Sequence, residues 1–165
     1  MIVSFDLDET LFVNPERVST EPEMRFPWRM FYPDRLRAGA VELLQWLNAS
    51  GITLWIYTTS NRSERYIRNY FRYYQVRIDN VVNAPRHERD VQGNRKTPMP
   101  SKNPAYYHID LHVDDEKSVY ENGFLYGFRV FQLHAEDAQW TEKLRKEIER
   151  IQKLKNQTGG ISNGK

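Results

Sequence analysis

Apolar and β-branched residues gather in five short runs along the chain, and longer stretches with helical spacing lie between them. The first run, Met1 to Phe5, closes on Asp6-Leu7-Asp8-Glu9-Thr10, and the second, Ile52 to Tyr57, closes on Thr58-Thr59-Ser60-Asn61. A third spans Val76 to Val82. A fourth, Tyr106 to Val113, alternates from Ile109 onward and closes on Asp114-Asp115, and the fifth is Phe128 to Leu133. Runs this short, bounded by polar residues, predict strands. Between Arg37 and Ser50 the positions Val41, Leu44 and Leu47, joined by Leu43 and Trp46, predict a helix stopped by Gly51. Residues 62 to 74 predict a second helix, with Asn61 and Glu64 spaced as an N-terminal cap. Residues 116 to 126 predict a third, ended by Gly127, and Trp140, Leu144, Ile148, Ile151 and Leu154 mark an amphipathic fourth.

Strands alternating with helices need crossovers that bring the strands parallel. The expected fold is therefore α/β, a doubly wound, mainly parallel sheet with helices on both faces. One domain over residues 1–155 accounts for these elements. Residues 12–35, rich in Pro, Arg and aromatics and without a period, read as an ordered flap. Residues 83–104 read mainly as loop, and the Gly/Ser/Asn-rich stretch 156–165 as a disordered tail. In a parallel sheet the carboxyl ends of the strands share one edge, where ligands bind. Asp6 and Asp8, Thr58, and Asp114 and Asp115 all fall at such ends.

Composition narrows the chemistry. The chain has no cysteine, which excludes disulfides, thiolate metal sites and cysteine nucleophiles, so a metal would be held by oxygen or imidazole. The four histidines (His87, His108, His112, His134) lack zinc-like spacing and read as structural or surface groups. A formal net charge of +2 does not by itself imply nucleic acid. No run approaches the ~20 apolar residues of a membrane span and no leader-like pattern precedes the first strand, so no membrane partner and a cytoplasmic location are expected.

An Asp-x-Asp pair beyond a strand has two readings: a turn cap with a solvated neighbour, or two carboxylates held close for work on a phosphate, with a cation or a proton relieving their repulsion. The rest of the chain favours the second, because complementary groups stand at two further strand ends.

Taken in order, Asp6-Leu7-Asp8-Glu9-Thr10, the strand ending in Thr58, a lysine, and the strand ending in Asp114-Asp115 resemble the four motifs of phosphatases of the haloacid dehalogenase (HAD) superfamily, over residues 1–133. The resemblance implies an aspartate-nucleophile phosphatase. Asp6 would attack phosphorus, Asp8 would protonate the leaving oxygen and then activate water, and Thr10 would hold the loop in shape. It implies Mg2+, with Asp6, the backbone carbonyl of Asp8, and Asp114 and Asp115 as ligands, Asp115 making the direct contact and Asp114 acting through water, or the two reversed. The Thr58 hydroxyl and the amides from Thr59 onward would bind phosphoryl oxygens, with Arg62 close by. Lys102 would balance the remaining charge, with Lys96 as the alternative. Dehalogenation is disfavoured because it does not need Asp8.

Only short insertions stand where relatives in this superfamily carry caps, so a minimal-cap enzyme with an open crevice is expected. A small phosphorylated molecule is the favoured substrate. The strings Asp-Leu-Asp-Glu-Thr-Leu and Tyr-Thr-Thr-Ser also resemble a branch that acts on phosphoserine in protein tails. Arg62, Arg65, Arg68 and Arg72 recur at helical spacing, and with neighbouring tyrosines they leave a polynucleotide-end phosphatase as an alternative; Trp28 would stack on a base or pack. The competing class is a non-catalytic phospholigand-binding module.

Overall fold

The computed structural model describes residues 1–159. Five strands, β1 (Ile2–Phe5), β2 (Thr53–Tyr57), β3 (Asn80–Val82), β4 (Leu111–Asp114) and β5 (Val130–Gln132), form one sheet in the order β3-β2-β1-β4-β5. Every neighbouring pair is parallel. β1, which leads directly into Asp6, is the central strand, flanked by β2 and β4, and Phe5 is in register with Ile56 on one side and Val113 on the other. The strand ends carrying Asp6, Thr58 and Asp114 therefore meet on one edge.

The helices are α1 (Trp28–Phe31), α2 (Ala40–Ala49), α3 (Glu64–Tyr73), α4 (Ala84–His87), α5 (Lys117–Tyr126) and α6 (Trp140–Gly159). Alternate strand residues point to opposite faces. Val3, Phe5, Leu54, Ile56, Leu111 and Val113 join the buried faces of α2, α3 and α6 in the main core. Trp55, Tyr57, Val82, Ile109 and Tyr107 form a smaller cluster on the other side. α5 packs on β5 and the turn leading into it, where a Cβ on Gly123 would stand 2.7 Å from the Phe128 carbonyl oxygen and 3.3 Å from the Val130 side chain. No helix among the described residues is long and apolar enough to cross a membrane.

Several boundaries differ from the sequence expectation. The cap of α3 is Ser63, whose side chain accepts from the Tyr66 amide, so the helix starts at Glu64 and Asn61 lies outside it. β3 occupies only the last part of the 76–82 run. Val76 and Ile78 are buried without being strand, and the Arg68 guanidinium, instead of a neighbouring strand, serves the Ile78 and Asp79 carbonyls. The stretch read as loop after Asn83 opens with α4, capped by Asn83, runs into a π-turn at Glu88–Gln92, and ends in a 3-10 turn at Pro104–Tyr107 that replaces the start of the fourth predicted strand. α6 continues to Gly159, past the predicted start of the tail; residues 160–165 lie outside the described residues.

Candidate active site

The first acidic loop is set by its own backbone and by a buried arginine. Leu7 carbonyl accepts from the amides of Leu11 (2.8 Å) and Phe12 (2.6 Å), folding the chain back directly after Asp6. Glu9 at the tip has φ +57°, a left-handed conformation uncommon for a residue with a side chain. Arg37, 2% exposed, donates through Nε to the Thr10 carbonyl (2.7 Å) and through Nη2 to the Glu9 carbonyl (2.8 Å). Its third nitrogen lies 3.5 Å from the carbonyls of His134 and Ala135. A guanidinium spanning four carbonyls satisfies groups that the turn would otherwise leave unpaired. Nothing in the sequence around Arg37 singled it out.

Behind this loop Asp6 is buried, and Lys102 Nζ lies 2.9 Å from its Oδ1 and 2.6 Å from Asp114 Oδ2. The Lys102 ammonium is the partner of Asp6 Oδ1, which accepts no other hydrogen bond among the described residues. The segment carrying Lys102 is tied to β2 where the Asn103 amide donates to the Tyr57 hydroxyl at 2.8 Å. Lys96 is exposed and makes no ion pair with either carboxylate.

Asp114 is the most heavily engaged acid. Its Oδ2 accepts from Lys102 and from His112 Nε2 (2.8 Å), and its Oδ1 accepts from the Glu116 amide (2.9 Å). His112 Nδ1 in turn meets the Ser4 hydroxyl at 2.8 Å. Because the carboxylate can only accept, Nε2 carries the ring proton and Nδ1 accepts from Ser4. Ser4, His112 and Asp114 are all fully buried, a chain of hydrogen bonds between adjacent strands that sequence spacing had assigned to a structural histidine. Asp115 is half-buried. Its Oδ1 accepts from Thr10 Oγ1 (2.8 Å), and Thr10 Oγ1 accepts from the Asp115 amide (3.1 Å), which locks the first and last acidic loops together.

These contacts pull the acids apart in pKa. Burial, the largest influence, pushes Asp6 up to about 7 against the pull of Lys102, and Asp114 adds to the rise. Burial opposes the charge on Asp114 too, but the His112 and Lys102 contacts outweigh it and hold Asp114 at about 2. Burial keeps the His112 imidazole below its ordinary range, and burial raises Asp115. For Lys102 the two carboxylates outweigh burial and raise it.

Asp6, Asp114 and Asp115 each present a carboxylate oxygen within 4.8 Å of the others. An all-oxygen set, one member of which is a buried carboxylate whose Oδ1 meets only the Lys102 ammonium among the described residues, fits a hard divalent cation. Both oxygens of Asp114 already accept from protein donors, whereas Asp115 has one oxygen beyond its Thr10 bond. The Asp8 side chain stands outside this cluster. It is exposed, and both its oxygens accept from Arg62 Nη1 at 2.9 Å, while Arg62 Nη2 reaches Asp34 Oδ1 at 3.0 Å. A place for Asp8 among the ligands thus rests on its backbone carbonyl. Thr58 is buried at the end of β2, and its hydroxyl accepts from the Ser60 amide (3.1 Å), so that amide is engaged locally instead of facing the crevice as expected. Thr59 is exposed beside it.

No family model and no curated protein matches this sequence. Solved structures do. A chain of the Pnkp1/Rnl/Hen1 RNA repair complex superposes with a TM-score of 0.53 at 18% identity, over 82% of this chain and 43% of that one. A predicted HAD-like family hydrolase from Porphyromonas gingivalis superposes with a TM-score of 0.50 at 12% identity, over 87% of this chain and 96% of that one. The chain thus spans less than half the length of its RNA-repair counterpart. The likenesses define the architecture: this is a HAD-like α/β fold, with its acidic cluster at the carboxyl edge of the sheet.

Proposed function

We propose that the chain is a Mg2+-dependent phosphate monoester hydrolase with Asp6 as nucleophile. The observation that carries the reading is Asp6 itself: a buried carboxylate just past the central strand, its Oδ1 paired with Lys102 alone among the described residues and set beside Asp114 and Asp115.

Asp6 and Asp115 would hold the cation directly, with the Asp8 carbonyl and Asp114 completing the set. When bound, the cation supplies charge neutralisation for Asp6 and the phosphoryl oxygens. An Asp6 oxygen forms a bond to phosphorus as the ester P–O bond breaks, and the leaving oxygen takes a proton from Asp8. Asp8 then accepts a proton from the water that cleaves the aspartyl-phosphate, releasing phosphate and restoring the Asp6 carboxylate. For the first step Asp8 must carry a proton and turn from Arg62, which frees the guanidinium for the incoming anion. Lys102 holds Asp6 and Asp114 in place and offsets their charge. The Thr58 hydroxyl keeps its hydrogen to donate to a phosphoryl oxygen.

The test is hydrolysis of an aryl phosphate by wild type and Asp6→Asn, each with Mg2+ and with chelator. Turnover that needs Mg2+ and falls at least about a thousandfold in the mutant is expected. Near-normal hydrolysis by Asp6→Asn would sink the mechanism.

A further inference from the structure

We infer that the groove along α3 is a track for single-stranded nucleic acid whose terminal phosphate enters the Asp6 site. The inference rests on the phosphatase reading above and adds its substrate class.

The groove, about 760 Å3 in volume, is lined by Trp28, Glu64, Arg65, Arg68, Asn69 and Arg72. Residues three and four apart share a helix face, so Arg65, Arg68 and Arg72 form one line. Its only acid, Glu64, is matched by Arg68 at 2.7 Å. Arg65 and Arg72 are exposed and make no ion pair among the described residues, which leaves the groove with two uncommitted positive charges. The line starts at the catalytic edge: Arg62, just ahead of the Ser63 cap of α3, is the residue that holds Asp8.

The opposite wall supplies a flat group. Trp28 is 41% exposed and held from behind by Tyr32 (ring centroids 5.8 Å apart, 26° between planes) and Tyr73 (6.0 Å). At 1.5 Å per residue, Arg65 to Arg72 covers about 10 Å, the length of about three nucleotides at ~3.4 Å each in a stacked strand. Guanidiniums along a backbone with an aromatic platform for the bases are what a sequence-tolerant single-strand site needs. An acidic peptide would satisfy the charge but does not carry a flat group at every unit, as a nucleic acid does. The flap tip beyond the groove, with Phe26, Met30 and Phe31 exposed, would suit a lipid surface instead, and the test includes that outcome.

The probes are a ten-nucleotide single-stranded DNA carrying a 5′- or a 3′-phosphate, an aryl phosphate, and vesicles rich in phosphatidylserine. The proteins are wild type, Arg65→Glu/Arg72→Glu and Trp28→Phe. Oligonucleotide binding that weakens with salt is expected, its log–log slope reduced by about 1.4 in the double variant. Quenching of tryptophan fluorescence on binding is expected in wild type and not in Trp28→Phe. The ratio of kcat/KM on the phosphorylated oligonucleotide to that on aryl phosphate should fall at least about tenfold in the double variant. Absence of oligonucleotide binding at low salt, binding indifferent to the arginines, or vesicle binding in its place would overturn the inference. If wild type binds the oligonucleotide as described but hydrolyses neither phosphate, the track stands and the phosphatase reading falls.

Discussion

Arg62 grips both oxygens of Asp8 from one nitrogen, at 2.9 Å each, while its other nitrogen holds Asp34 at 3.0 Å. Asp34, near the end of the flap, is also fastened to α3 itself twice, by the Tyr66 hydroxyl on its side chain (2.7 Å) and the Tyr70 hydroxyl on its carbonyl (3.0 Å). The proposed general acid is thus linked through one guanidinium to the flap.

A planar fork can keep Asp34 on one nitrogen and offer the other to the incoming anion once Asp8 turns away, and an ammonium cannot do both. Arg62→Lys is therefore expected to lose activity nearly as far as Arg62→Ala, with kcat/KM on aryl phosphate down roughly tenfold in both. The Asp8 partner is about half exposed, so thermal unfolding should register a change of under about 1 kcal/mol. Wild-type kinetics in Arg62→Lys would show that charge alone matters there.

Arg37 makes a different prediction because it is buried among carbonyls instead of carboxylates. Arg37→Met fills most of the space but leaves the Thr10 and Glu9 carbonyls without their donor and the left-handed Glu9 without its brace. A loss of about 2–4 kcal/mol in urea unfolding is expected. Activity should fall in the fraction that remains folded, since the same turn positions Asp6 and Thr10. Full activity in the folded variant would separate Arg37 from the site.

The raised Asp6 predicts a pH-dependent stability in chelator. Folded Asp6 titrates near 7 against an ordinary value of 3.8, so between these pH values the folded protein holds more protons than the unfolded chain and stability falls as pH rises. His112, lowered by burial, works in the opposite sense below its ordinary 6.5, so the quantity to measure is the difference between wild type and Asp6→Asn, which both keep it. Urea unfolding should find the two alike near pH 4, with Asp6→Asn more stable by on the order of 4 kcal/mol at pH 8. Mg2+ should narrow that gap by binding the wild-type carboxylate. A difference constant from pH 4 to 8 would refute the burial argument.

Much of this arrangement was legible because it follows from periodicity and strand ends. Val3 and Phe5, Leu54 and Ile56, and Leu111 and Val113 alternate as buried strands must, and their order with the helices implies the parallel sheet. Asp6, Thr58, Asp114 and Asp115 could be placed on one edge because strand ends of a parallel sheet converge, and the structure brings the three aspartates together there. What was not legible depends on contacts across long separations. Arg37 and Asp34 lie in stretches where an arginine or aspartate is ordinarily solvated, and only the folded chain brings them to Glu9 and Arg62. The 83–104 stretch escaped because a four-residue helix and a single π-turn leave no repeating pattern.

The hidden partner of Asp114 gives the sharpest energetic contrast. Ser4→Ala removes one neutral hydrogen bond at the far end of the chain from Ser4 through His112 to Asp114 and should cost about 1 kcal/mol. His112→Ala removes the donor to a buried carboxylate and leaves a hole between β1 and β4, so a loss of about 3 kcal/mol or more is expected in urea unfolding. The functional effect should rank in the same order. With His112 gone, Asp114 keeps Lys102 and the Glu116 amide but loses the contact that fixes its orientation, and partners of this kind are typically worth 10- to 100-fold in metal affinity. Mg2+ titration followed by calorimetry on the folded variant would read this directly. Unchanged Mg2+ affinity in His112→Ala would mean that Asp114 is held well enough by Lys102 alone, and that the histidine serves the core and not the site.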